Sequence, residues 1–506
     1  MGRVQQLLTQ RQEEDANRVA FVHGSIDTIL TWGDIAAHAV DWVEHMGTIT
    51  DRRSKLVGLA LSAPTSFCSA YLAALATSTP IAPLDPRATA DELHERARIL
   101  ALTDVLGDTL DVAQTSALSD TGARIWTIGA RGIQLVRDSS QDGFGATDIP
   151  APGVLLATSG STGRPKLVPL SEYQLLHVAG LVADHHQLGR DDRGYCPLPL
   201  FHINAQVVGV LATLITGGSL VVEERFGRDQ FWDVVDEFEV TWLNLVPAIL
   251  AVLATLPGTA SQVREFIRFA RSASSPLSDA VRERFESASN VGVLETYGMT
   301  EAASQITANP LRAKDRRPGS VGVPVGVELR VVDEAGRKVK DQFTGAVQIR
   351  GLSVVNRYLA PGRIGLVPAC ERDGWLTTGD VGRLDADGFV YLVGRTDDVI
   401  TRGGEKVYPR EIEEVLLRDG RVSEAVATGR PHPVLGAEVI AFVTTPYPIE
   451  ARAGLADELE RSCEAALSRY KRPVEIFIAD DLPVGATGKV ARRRLVEMPQ
   501  LPLVHA

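Results

Sequence analysis

Short apolar runs bounded by turn residues alternate with amphipathic stretches along the first part of the chain. Val57-Gly-Leu-Ala-Leu61 predicts a buried strand, Ser66 to Thr77 a helix, and Pro80-Ile-Ala-Pro-Leu84 a second strand ending at the turn Asp85-Pro86. That order is a βαβ unit. Ala90 to Leu102 followed by Asp104-Val-Leu-Gly107 repeats it, as do Leu175 to Ala183 and Tyr195 to Leu200. The expected fold class is therefore α/β, with a large N-terminal part of stacked parallel sheets and covering helices.

Past about residue 320 the pattern changes to short alternating strands with turn punctuation: Val327 to Val332, Gly345 to Ile349 and Gly388 to Val393. This predicts a β-rich subdomain closing the N-terminal part. A second change falls at Arg395-Thr-Asp-Asp398. Beyond it the chain predicts a helix (Pro409 to Leu417), a strand (Ala437 to Thr444), a helix with Leu455, Leu459, Cys463 and Leu467 spaced by four, and a final strand (Val474 to Ile478). These elements form a small α+β C-terminal domain. The division is an N-terminal domain over 1–396 and a C-terminal domain over 397–506, with no internal repeat.

A chain of 506 residues exceeds what one core usually supports, which agrees with that division. The net charge of -12 argues against a nucleic-acid-binding surface. Arg492-Arg493-Arg494 is either a local basic site for a phosphorylated cofactor or a solvated helix face. Cys68, Cys196, Cys370 and Cys463 show no CxxC spacing, so neither a zinc site nor a disulfide framework is expected. Met1-Gly-Arg-Val-Gln-Gln lacks a signal-peptide core and the hydroxyl residue of a myristoylation signal. No apolar run of about 18 residues predicts a membrane span. A cytoplasmic enzyme is the expectation.

The most informative segment is Thr158-Ser-Gly-Ser-Thr-Gly-Arg-Pro-Lys166, directly after the apolar run Gly153 to Ala157. Glycines let backbone N–H groups approach an anion, hydroxyls add donors, and Lys166 supplies positive charge. The segment reads as a phosphate cradle, with a solvated Ser/Gly linker as the other reading. It is not a Walker sequence, because no Gly-Lys-Ser/Thr follows. Further along, Glu295-Thr-Tyr-Gly-Met-Thr-Glu301 carries two carboxylates, a stacking aromatic and a glycine. Gly374-Trp-Leu-Thr-Thr-Gly-Asp380 ends in a carboxylate after a tight turn. Gly394 to Lys406 combines basic and acidic residues with a glycine pair, and Pro483-Val-Gly-Ala-Thr-Gly-Lys489 sets a lysine at the tip of a glycine-rich loop.

In this order, the segments resemble the adenylate-forming superfamily of acyl- and aryl-CoA synthetases, luciferases and peptide-synthetase adenylation domains, from about residue 30 to 496. Pro199-Leu-Phe-His-Ile-Asn204, Arg271-Ser-Ala-Ser-Ser-Pro-Leu277, Ala308-Asn-Pro-Leu311 and Tyr470-Lys-Arg-Pro473 are closest in texture to coumarate-CoA and oxalate-CoA ligases. The resemblance implies a mobile C-terminal domain hinged at Asp397. It also implies a reaction in two halves: a carboxylate attacks the α-phosphate of ATP, and a thiol then attacks the acyl-adenylate.

By that resemblance Lys489, Glu301 and Thr300 are the catalytic residues, Lys489 being the catalytic lysine and Glu301 also the carboxylate that binds magnesium. Thr158, Ser159, Gly160, Ser161, Thr162, Gly163 and Lys166 hold the β- and γ-phosphates. Asp380 takes the ribose and Arg395 contacts the nucleotide. Tyr297 stacks on adenine, with Ser274, Ser275, Glu295, Thr296 and Gly298 around the base. Phe201, His202, Thr296 and Gly298 match the acyl pocket, although His202 also fits a satisfied core histidine. Gly403 and Gly404 let a pantetheine arm pass. ATP, Mg2+ and coenzyme A are the implied cofactors and co-substrates.

The chain departs from the family at Thr296, where many relatives have glycine or alanine, and this should reshape the acyl pocket. Arg357 stands where glycine is usual. No second cation besides His202 is apparent in the pocket, so a dicarboxylate such as oxalate lacks an obvious partner. The expected function is ATP-dependent activation of a largely apolar carboxylic acid and its transfer to coenzyme A, in specialised metabolism. The alternative is an adenylating enzyme that passes its acyl group to a carrier protein or partner enzyme.

Overall fold

The computed structural model describes residues 2–26, 28–46, 56–129, 132–138, 153–158, 165–256, 266–360, 365–445, 447, 454–483, 490 and 492–497. Among these described residues, two nine-stranded sheets, one four-stranded sheet and one five-stranded sheet carry the architecture. In the first large sheet the strands Val19–His23, Ser219–Val222, Arg193–Cys196, Trp242–Leu245, Phe269–Ser272 and Val293–Met299 lie side by side in parallel. In the second, Gly153–Thr158, Ile81–Pro83, Val57–Ala60, Asp104–Gly107 and Arg124–Gly129 form the parallel centre. Helices Pro64–Ala76, Glu172–His186 and Asp279–Ser289 supply the crossovers and covers expected of an α/β fold.

The sheets are mixed rather than purely parallel, and connection length gives the reason. Gly153–Thr158 pairs antiparallel with Lys166–Ser171, from Gly153↔Ser171 to Thr158↔Lys166. The link between them is too short for a parallel crossover, which needs a dozen or more residues. Thr158 and Lys166, which flank the glycine-rich segment, are the last facing pair of these two strands.

The β-rich part is the antiparallel sheet Glu328–Val332, Gly345–Arg350, Leu376–Leu384 and Val390–Arg395. One large core runs from Val4 to Val390 and includes Trp32, Trp42, Tyr71 and Trp242, all nearly inaccessible to solvent. A separate core, including Ile400, Ile412, Val439, Leu459 and Ile476, fills the five-stranded sheet and its helices. Between the cores lies a single 3-10 turn, Thr396–Asp398.

Three local expectations change. The strand foreseen from Tyr195 to Leu200 ends at Cys196. Phe201 and His202 lead instead into a π-helix, Ala205–Leu211, whose wide turn is a frequent mark of functional sites. Leu467 falls just beyond the helix Leu455–Ala466, while Leu455, Leu459 and Cys463 are buried as the spacing foretold. In the helix Arg492–Glu497, Arg492 is neither a solvated face nor a free anion site, because its guanidinium bonds Glu413 at 2.6 Å and approaches Asp398 at 3.5 Å. No helix among the described residues is long and apolar enough to cross a membrane.

Candidate active site

The site residues gather where the parallel strands of the first large sheet end, which is where open α/β sheets present their loops. The strand Val293–Met299 runs parallel to Phe269–Ser272 at its start, then bends to pair antiparallel with Ser304–Ala308. Tyr297 sits on the bent half, and its hydroxyl donates to Asp380 Oδ2. Burial and the neighbouring Asp380 charge push this phenol well above its ordinary range. Asp380 faces Arg395 across the β-rich hairpin, with Arg395 Nη1 at 3.4 Å from Asp380 Oδ1. Gly379, at φ +80, admits that guanidinium: a Cβ there would stand 2.8 Å from Arg395 Nη2.

Glu301 occupies the short turn Thr300–Ala302 that follows the bent strand, with Thr300 at its first position. Its carboxyl is buried, and burial raises it above the ordinary carboxylate range against the opposing pull of Lys166, Tyr358 and Arg395. Tyr358 Oη donates to Glu301 at 3.4 Å, and Lys166 Nζ lies 5.2 Å above the Tyr358 ring. Thr158 is paired with Lys166 across the hairpin and bonds its carbonyl at 3.4 Å. Lys166, Glu301, Arg395, Asp380 and Tyr297 therefore form one charge-coupled cluster. Glu301, a buried oxygen donor beside the Tyr358 phenol and the Lys166 and Arg395 charges, fits a hard divalent cation shared with phosphate oxygens. Ser159, Gly160, Ser161, Thr162, Gly163 and Lys489 lie outside the described residues.

On the acyl side the rings of Phe201 and His202 pack 4.5 Å apart. Two residues on, Asn204 Nδ2 donates to Ser274 Oγ at 3.3 Å. Ser274 holds a left-handed backbone at φ +75, and neighbouring Ser275 is exposed. Thr296 is buried, with its hydroxyl donating to the Ser272 carbonyl at 3.2 Å. Gly298 tolerates no side chain, since a Cβ would fall 1.6 Å from the Ser304 carbonyl oxygen.

Glu295, matched by the resemblance to the surroundings of the base, lies in the buried part of the bent strand. Its buried carboxyl is pushed up to about 7 by burial, and the strongest charge acting on it is Arg410, beyond the 3-10 turn. Arg410 reaches back across that turn to the carbonyls of Leu392 at 2.8 Å and Leu277 at 3.4 Å. Asp397 is exposed in the turn itself. Gly403 and Gly404 adopt left-handed backbones, φ +59 and +90, at the tip of the hairpin joining Ile400–Arg402 to Glu405–Val407. Lys406 of that hairpin pairs with Glu334 at 2.8 Å.

Sequence reasoning missed Tyr358, Asn204, Arg410 and Arg271. Tyr358 and Arg410 had no motif around them to single them out. Arg271 carried a signal, a basic residue inside an apolar strand, and it lies behind the acyl-side turn through its bond to Asn204. It is 1% exposed, with Nη1 bonded to Asn204 Oδ1 at 3.1 Å and Asn244 Oδ1 at 3.0 Å. Burial draws its pKa down to about 9, so it remains charged at neutral pH.

A family model described as AMP-binding enzyme matches residues 8–359, and one described as AMP-binding enzyme C-terminal domain matches 411–489. The chain is 41% identical over 348 residues to the sulfoacetate–CoA ligase of Cupriavidus necator, covering 68% of this chain and 67% of that one. It is 33% identical over 452 residues to the oxalate–CoA ligase of Arabidopsis thaliana, covering 87% of each. The solved structure of Bacillus subtilis o-succinylbenzoate coenzyme A synthetase with ATP and magnesium ion superposes with a TM-score of 0.82 at 25% identity, covering 97% of this chain and 98% of that one.

Proposed function

Because the chain belongs to the AMP-binding enzyme family, we propose that it is an AMP-forming acid–thiol ligase with its nucleotide site at the cluster just described. In the first half-reaction a carboxylate oxygen of the acid attacks the α-phosphorus of ATP. The bond to the β-phosphate breaks, pyrophosphate leaves, and an acyl-adenylate forms. In the second, the thiol of coenzyme A attacks the acyl carbon, loses its proton, and expels AMP.

The observation that carries this reading is the convergence of Lys166, Glu301, Arg395, Asp380 and Tyr297. Asp380 accepts from the ribose hydroxyls, its orientation held by the Tyr297 phenol and the Arg395 guanidinium. Lys166 and the loop from Thr158 orient the departing pyrophosphate, and a preorganised charge of this kind acts without reorganisation cost in a dry cleft. Glu301 would hold Mg2+, and the bound ion would neutralise charge building on the phosphate oxygens, with Thr300 beside it on the same turn. Lys489 bridges the acid carboxylate and α-phosphate, then withdraws as the segment from 397 to 506 turns about Asp397 and brings Gly403 and Gly404 to the thiol.

The relatives named for sulfoacetate and oxalate support coenzyme A as acceptor rather than a carrier protein or partner enzyme. Those acids each carry a second anionic group, which frames the question of the acid here. A cytoplasmic setting accords with three buried, unpaired cysteines, Cys68, Cys196 and Cys463. Purified enzyme with ATP, Mg2+, coenzyme A and a panel of acids tests the reading. Acid-dependent release of pyrophosphate and formation of a thioester are expected. Adenylate without thioester would transfer the second half-reaction to another acceptor, and no pyrophosphate with any acid would end the proposal.

A further inference from the structure

Among the described residues, Arg11, Arg271 and Arg410 are the buried arginines. Arg11 pairs with Asp15 at 2.8 Å and Arg410 with Glu414 at 2.9 Å. Arg271, the most buried, meets only neutral amide oxygens: Asn204, Asn244 and Gln305, the last at 3.4 Å from Nη2. A buried cation without an anion is costly, and proteins ordinarily pair it. Its Nε finds no acceptor among the described residues, and neither does the Gln305 side-chain nitrogen, although both are shielded from solvent. Two adjacent buried donors and a full positive charge thus await an acceptor.

The network also has a direction. Arg271 Nη1 bonds Asn204 Oδ1, and Asn204 Nδ2 bonds Ser274 Oγ, which lies on the exposed loop after the strand. Asn204 follows Phe201 and His202 on the same turn. The buried charge is therefore bonded directly to Asn204, two residues past His202, on the turn that forms the mouth of the acyl side. An acid activated at that mouth reaches the charge only if its far group is close to its carboxylate.

Resting on the adenylation reading, we infer that Arg271 is the specificity-determining charge of the acyl site, and that the chain activates a compact acid bearing a second anionic group, a carboxylate or a sulfonate. The sequence expectation of a largely apolar acid rested on the lack of a cation beyond His202, and Arg271 supplies one. A far anionic group accepts from the guanidinium and from Gln305, whereas an uncharged acid of equal size leaves both unmatched. That asymmetry is the kind that discriminates strongly, because the penalty falls on buried polar groups left unpaired.

Pyrophosphate release with ATP and Mg2+ is compared for sulfoacetate and malonate against butanoate and 3-methylbutanoate, with aromatic and long-chain acids as a wider panel. The wild-type enzyme should favour the doubly anionic acids in kcat/KM by about 30- to 1,000-fold, the range for stranding one partner of a buried charge contact. R271M, which keeps length and removes charge, should lose that preference and hold or gain activity with butanoate, whereas a purely structural role would lower both classes alike. A wild-type preference for uncharged or aromatic acids, or an equal loss across classes in R271M, overturns the inference while leaving the ligase reading in place. If R271M does not fold, the wild-type ratio decides alone. Pyrophosphate from no acid at all would bring down the ligase reading, and the inference with it.

Discussion

Replacing Glu295 with glutamine should stabilise the protein at alkaline pH and leave it unchanged in acid. Burial pushes the Glu295 carboxyl up to about 7 from an ordinary 4.5, even with Arg410 opposing that shift. A carboxyl raised in this way binds more protons in the folded than in the unfolded chain between those values. Stability is thus greatest below about 4.5 and declines as pH rises toward 7. The interval corresponds to about 3 kcal/mol of folded-state penalty above pH 7. Glu295→Gln keeps the shape of the protonated acid and removes that penalty. Part of the gain is offset because Arg410 loses its buried counter-charge, although it keeps Glu414 at 2.9 Å and the Leu392 and Leu277 carbonyls. The net should be about 1–3 kcal/mol at pH 8. Denaturant unfolding followed by tryptophan fluorescence, run in steps from pH 4.5 to 8, reads this directly. The two proteins should coincide at the acid end and separate through the middle of the range. Parallel curves for wild type and variant would show that Glu295 is not the buried, proton-holding carboxyl described above.

Other outcomes follow from the proposed roles. Asp380→Asn removes the anionic acceptor shared by Tyr297 and Arg395 and should raise the KM for ATP by about 10- to 100-fold, the worth of a hydrogen bond to a charged group; an unchanged KM in steady-state pyrophosphate release would remove it from the ribose site. Lys489→Ala should slow adenylate formation by at least about a hundredfold while pre-made acyl-adenylate still yields thioester, and equal loss in both halves would contradict its assignment. Asp397→Pro fixes a backbone dihedral in the 3-10 turn between the two cores, so adenylation should survive and thioester formation collapse in single-turnover assays. Normal overall turnover there would place the hinge elsewhere.

Much of the site was legible in the chain because its residues are clustered locally. Thr158 to Lys166, Glu295 to Glu301 and Gly374 to Asp380 are contiguous runs whose composition follows from the chemistry of phosphate, base and ribose, and their order identifies the family. Helix and strand periods were likewise readable wherever one face is buried, as in Pro409–Leu416 and Leu455–Ala466. What the sequence by itself determined, then, was the fold class and the list of chemically equipped segments.

Only the tertiary structure decided which segments meet. Tyr358 approaches Glu301 from 57 residues away, and the Tyr297 hydroxyl meets Asp380 from 83. Arg271 shows in sequence as a basic residue inside an apolar strand, but its meaning depends on facing Asn204, Asn244 and Gln305 rather than a carboxylate. Glu295 reads as one more acid of its motif, and that its carboxyl is buried with Arg410 as the strongest charge acting on it, from beyond the 3-10 turn, is set by folding. Local pattern records a residue's own chemistry and which side of its element is buried. The sign and number of charges that surround it after folding are set by distant strands, and that field decides whether a buried group is a structural partner or a receptor for substrate.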